Sequence, residues 1–126
     1  MEDKIKMLKE QLNDLIDRLT REENEYQQMV KEYARINSEA MSVFRRFEKV
    51  AIAQMTIGNT DASWQNMIAA GATARPDLRD DWINTDLTRR EHEMRVEAQK
   101  QRIMSLRLLI EVSMSLLEME NKQWQH

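Results

Sequence analysis

Residues 5–57 read IKMLKEQLNDLIDRLTREENEYQQMVKEYARINSEAMSVFRRFEKVAIAQMTI, without a glycine or a proline. With Ile5 at heptad position a, that series is Ile5, Leu12, Leu19, Tyr26, Tyr33, Ala40, Phe47 and Gln54. The d series is Leu8, Leu15, Glu22, Met29, Ile36, Val43, Val50 and Ile57. Only Glu22 and Gln54 are polar among these sixteen positions. A sustained heptad repeat keeps one seam of a helix against a partner. The f positions begin Glu10, Asp17, Asn24, Lys31, Ser38 and Arg45, so the opposite side is solvated. From Tyr26 onward the stripe widens, because Val30, Phe44 and Ala51 make position e apolar as well. An a/d/e stripe suits a helix packed against two neighbours. As one helix the segment is roughly 85 Å long at 1.5 Å per residue.

Beyond it, Gly58 is suited to cap the helix in the left-handed conformation, and Asn59, Thr60 and Asp61 offer N-cap oxygens for a short helix. In that helix Trp64, Met67, Ile68 and Gly71 share a face. Residues 71–76 read as a turn, with Pro76 suited to the first turn of another short helix over 77–84. Thr85 or Asp86 then caps the last long helix, where Thr88 and Glu91 have capping-box spacing. The expected organisation is a single helical domain over 1–126: a long helix over 1–57, a connecting region over 58–86 and a long helix over 87–124.

The second half of that last helix is apolar around most of its circumference. Eleven of the 17 residues from 103 to 119 are Ile, Leu, Met or Val, and Arg107, Glu111 and Glu118 form one narrow polar strip. Such a helix needs cover on several sides, which one partner helix cannot give. If residue 57 lies opposite residue 86 in an antiparallel hairpin, residue 126 falls near residue 17. Ile5, Leu8, Leu12 and Leu15 then overhang, forfeiting roughly 1.5–3 kcal/mol for each large side chain left in water. A helix extended through 76–86 removes that overhang but not the excess at 103–119.

Composition supports few, long helices. The 126 residues include two glycines and one proline, against usual shares of roughly 7% and 5%. Charged residues make up 33% and hydrophobic ones 41%, with a mean hydropathy of −0.73. A net charge of −3 and a pI near 5.5 give no global attraction to nucleic acid or anionic membranes. The absence of cysteine excludes disulfides, thiolate zinc sites and cysteine nucleophiles. Residues 1–3, Met-Glu-Asp, lack the basic start of a signal peptide. The run at 108–110 is too short to span a bilayer, so a soluble protein is expected, in the cytoplasm, a host cytoplasm or a virus particle.

No catalytic residues, cofactor or metal site are expected. There is no Gly-rich phosphate loop, nucleophile elbow, HExxH or Glu-x-x-His. His92 and His126 fit no ligand pattern, and His92 reads as a solvated surface residue. Ten methionines, among them Met29, Met94, Met104, Met114 and Met119, suit either core filling or an adaptable binding surface. The connecting region is acidic, with Asp61, Asp77, Asp80, Asp81 and Asp86 against Arg75 and Arg79, a net of −3. Trp64 and Trp82 plug the end of the helical layer or, with Asp77, Asp80 and Asp81, form a partner-binding tip. Arg45, Arg46, Lys49, Arg89, Arg90 and Arg95 could form an anion-binding belt, though Glu48, Glu91, Glu93 and Glu97 intervene.

The expectation is an all-α fold: a long antiparallel coiled-coil hairpin with one or two short helices at its turn, assembled into an oligomeric helical bundle. Its partners are itself, another helical protein or both, with no membrane insertion and no small-molecule substrate. The expected interface is Ile5, Leu8, Leu12, Leu15 and Leu19 on the first helix. On the last it is Ile103, Leu106, Leu109, Ile110, Leu116 and Leu117. The expected function is non-enzymatic assembly, as scaffold, adaptor or helical chaperone of a larger complex such as a secretion apparatus or virus particle. Two alternatives are a regulator whose acidic tip modulates an enzyme such as a polymerase, and a nucleic-acid-packaging or DNA-binding protein using the basic belt.

Overall fold

The computed structural model describes residues 2–125, with side chains to residue 123. It is all-helical: three helices, α1 (Glu2–Ile57), α2 (Trp64–Ala74) and α3 (Pro76–Gln125), hold 94% of the described residues, which contain no strand. The end of α1 falls where expected, by a different device. The left-handed residue is Asn59, at φ 51°, and no glycine has positive φ. The Thr60 amide donates to the Met55 carbonyl at 3.0 Å and the Asn59 amide to that of Thr56 at 3.3 Å. That is a Schellman closure with asparagine in the position glycine usually takes. Asparagine, whose short side chain tolerates this region, leaves Gly58 within the last turn.

Two other boundaries differ from the expectation. The cap of α2 is Ser63, whose hydroxyl accepts from the Asn66 amide at 3.1 Å, rather than residues 59–61. Gly71 lies inside α2 rather than at a turn. Nor does the chain break near residue 86, because α3 is continuous from Pro76. Thr85 and Thr88 do not cap anything. The Thr85 hydroxyl donates to the carbonyls of Asp81 and Trp82, and that of Thr88 to Asn84. A threonine hydroxyl satisfied this way sits in a helix interior without breaking it.

The chain forms two compact units, Met1–Val30 with Arg95–His126, and Lys31–Met94. In the first, the segments of α1 and α3 run in opposite directions, since Lys4 pairs with Glu120 at 2.9 Å and Glu23 with Arg107 at 3.5 Å. The overhang is therefore absent. Leu8 is buried, and Ile5, Leu12, Leu15 and Leu19 are half-buried within this unit. The ten residues α3 gains by starting at Pro76 account for the difference. The facing seam of α3 is Val96, Gln99, Ile103, Leu106, Ile110, Ser113, Leu117 and Glu120, alternately three and four residues apart and all buried or half-buried.

In the second unit the core of α1 is Ile36, Ala40, Val43, Phe47, Ala51 and Met55. The steps after Val43 are all of four residues, so the buried stripe rotates by about 40° per step instead of following the heptad. This exposes Gln54 and Ile57, both assigned to the seam by the heptad count. The stripe turns toward α2, where Gly71 comes so close that an added Cβ would lie 2.5 Å from the Phe47 ring and 3.1 Å from Ala51 Cβ. Phe47 is also stacked on Trp82, with ring centroids 5.1 Å apart.

Candidate functional site

The largest departure from ordinary burial lies on α3 in the first unit. Leu108, Leu109, Val112, Leu116 and Met119 are 62, 51, 56, 46 and 57% exposed, and Met104 and Met114 are exposed as well. The exposure follows from helix geometry. The seam that meets α1 occupies two heptad positions, and its members include the polar Gln99, Ser113 and Glu120. Ser105, Leu109, Val112, Leu116 and Met119 repeat the same alternation of four and three residues on another face. On a heptad wheel the two seams stand about 100° apart. Leu108 and Ser115 flank the second seam, so the strip over 105–119 that these seven residues make carries no charge.

Nothing comparable occurs on α1 in this unit. Its flanks carry Lys4, Asp14, Arg18, Arg21 and Glu25 on one side and Lys6, Lys9 and Glu23 on the other, with Met7 and Ile16 as isolated exposed apolar residues. A groove of about 640 Å³ bordered by Leu12, Met114 and Leu117 lies between the two helices here, and Glu111 and Glu118 form its rim. A second groove, of about 320 Å³, is lined by Arg18, Arg102, Ser105 and Leu109. Both are open furrows beside the strip rather than enclosed cavities.

The interface residues expected from sequence separate into two groups. Leu8, Ile103 and Leu106 are buried inside the chain, and Ile110 and Leu117 are half-buried on the inner seam. Of the group on α3, Leu109 and Leu116 face outward. Leu108 and Val112 belong to the same outer strip and were not singled out, and Met119, also on it, was named only among the methionines of an adaptable surface. The two interleaved alternations, offset by six residues, were the available signal.

The inner seam of this unit has one buried polar layer. Gln99, 2% exposed, donates from its amide nitrogen to the Glu22 carbonyl at 3.0 Å and to the Glu22 carboxylate. Among described side chains no buried polar atom lacks a hydrogen-bond partner.

In the second unit the tip residues are engaged with their neighbours. Trp64 lies 6.0 Å from both Phe44 and Trp82, edge-on to the latter. Asp77 pairs with Arg75 at 2.9 Å and Asp80 with Arg79 at 3.0 Å, while Asp81 is exposed. The Arg75 guanidinium holds the Asp77 carboxyl below its ordinary range. The basic residues are not gathered in one unit, since Arg95 belongs to the first. Arg89 contacts Asp86 at 2.9 Å and Glu93 at 3.1 Å, and its hydrogen bonds to Asp86 and then Tyr33 raise its pKa. Arg90 shares Asp86 at 2.9 Å. Arg45, Arg46 and Lys49 line a shallow exposed stretch of α1 with Ser38 and Ser42.

His92 is half-buried rather than solvated, in a furrow with Glu32, Arg35, Glu39 and Thr88. It lies four residues before Val96 on the inner face of α3, although Glu91 and Glu93 flank it in sequence. His126 lies outside the described residues. Among the described residues no group of three or more His, Cys, Asp or Glu could hold a metal ion, and no helix is long and apolar enough to cross a membrane. No protein-family model, curated protein or solved structure matches this chain.

Proposed function

We propose that this is a non-enzymatic assembly protein, a coiled-coil helical hairpin that joins a larger complex by burying the outer strip of α3 against another helix. One observation carries the reading: five consecutive seam or flanking apolar side chains, Leu108, Leu109, Val112, Leu116 and Met119, stand about half in water. Covering each contributes about 1 kcal/mol, half of the value for a fully buried aliphatic side chain. A contiguous apolar strip of this kind, bordered by Glu111 and Glu118, has the character of an interaction site. The strip also has helical periodicity, so the occupant it fits is a helix laid along it. Scaffold, adaptor and helical chaperone are the roles consistent with such a surface.

The acidic-tip and basic-belt alternatives are weaker on the same grounds. Asp77, Asp80, Arg89 and Arg90 already have partners of opposite charge, and Trp82 is stacked on Phe47. The test is the native size of the protein in extracts of the cells that make it. The wild type is expected to run in an assembly larger than one chain, and Leu109→Glu with Leu116→Glu to be released from it with its helix content intact. A single-chain size for the wild type in those extracts contradicts the proposal.

A further inference from the structure

We infer that the occupant of the outer strip is a second copy of this chain, with the two α3 helices antiparallel about a two-fold axis near Leu109 and Val112. The inference rests on the assembly reading above and names its partner. Three features of the first unit lead to it.

The first is that the strip is the one face in this unit with a second apolar seam. The flanks of α1 carry Lys4, Asp14, Arg18 and Arg21 on one side and Lys6, Lys9 and Glu23 on the other. A second copy offers the strip a matching seam on its own α3, which makes the contact isologous: the same patch on both chains. The second feature is charge. Over 95–107, α3 carries Arg95, Lys100, Arg102 and Arg107 against Glu97, a net of +3. Over 108–120 it carries Glu111, Glu118 and Glu120, a net of −3. Parallel pairing sets like ends of the strip side by side, whereas antiparallel pairing sets unlike ends together. In the antiparallel register that joins the two apolar seams, Val112 meets the partner's Leu109 and Ser105 meets the partner's Leu116, so 101–107, with Arg102 and Arg107, lies along the partner's 114–120, with Glu118 and Glu120.

The third feature is area. The five exposed side chains offer on the order of 400 Å² of apolar surface, and an isologous contact counts that surface twice. Together with its polar rim this reaches the range of a small stable interface, about 1,200 Å² in total.

The purified full-length chain tests the inference by sedimentation equilibrium and by disulfide trapping, for which the absence of native cysteine is convenient. The wild type should sediment at twice 15.0 kDa. Leu109→Glu with Leu116→Glu should weaken the dimer by about 100-fold or more, with unchanged helical circular dichroism. Under oxidation, Ser105→Cys alone should stay uncrosslinked, and Ser105→Cys mixed with Leu116→Cys should form a covalent dimer. Self-crosslinking of Ser105→Cys would show parallel helices and overturn the arrangement. A dimer that survives both glutamates uses another face and overturns it too. A purified chain that stays at 15.0 kDa, yet joins a larger species in its own cell extract through Leu109, removes the second copy and leaves the assembly reading standing. A single-chain size in both settings removes both.

Discussion

Single residues decide how closely the helices approach. Gly71 is the clearest case, because a methyl group there would lie 2.5 Å from two carbons of the Phe47 ring. Phe47 is fully buried and stacked on Trp82, so it has little freedom to retreat. Gly71→Ala favours the helix by propensity, by about 1 kcal/mol, but overpacking costs about 1–3 kcal/mol. A net loss of stability is expected in urea unfolding, with a change in tryptophan emission as the Phe47–Trp82 stack is displaced. Gln99 is a second case. Gln99→Leu removes the donor held by the Glu22 carboxylate in a half-buried seam, at a cost of about 1–3 kcal/mol. The double variant with Glu22→Leu should recover much of that loss, since two apolar groups replace an unpaired carboxylate. Equal stability of the single and double variants would rule out this role.

At the scale of the helix, much was readable from spacing alone. The seam of α1 was legible from Ile5 to Val50, where every a and d position of the heptad is buried or half-buried. It failed at Gln54 and Ile57, where contact with α2 turns the buried stripe off the heptad. The start of α3 was misread because Thr85, Asp86 and Thr88 have the chemistry of caps. Their hydroxyls or carboxylates instead serve neighbours on the same helix, Asp86 binding Arg89 and Arg90. The excess of apolar residues over 103–119 was legible, but not its division into an inner and an outer seam. That division depends on which face α1 occupies. Local pairs also tune the helices. Arg35, bonded to Glu32 at 2.5 Å, holds the Glu32 carboxyl below its ordinary value of 4.5. A lowered folded pKa means that the contribution is full above that value and fades as pH falls through the folded one. Glu32→Gln should therefore flatten the acid limb of helix stability below about pH 4.5, seen by circular dichroism. The effect should be small, as both partners are exposed. An unchanged acid limb would contradict it.

For the molecule as a whole, the central claim is that the outer strip of α3 is covered by another chain where the protein works. Its interior needs no such help: Phe47, Ile103 and Leu106 are buried within the chain itself, and Gln99 is satisfied by Glu22. The strip is different, because burying it changes what the molecule assembles with and leaves its own helices as they are. Met119 reports on it directly, being 57% exposed in the single chain, against 73% for Met94, which lies off the strip. Peroxide oxidation of the protein taken undenatured from its own cells, followed residue by residue by mass spectrometry, compares the two thioethers. A covered strip predicts that Met119 oxidises several-fold more slowly than Met94, and that denaturant brings the two rates together. Rates that differ no more than those two exposures, with or without denaturant, would contradict it.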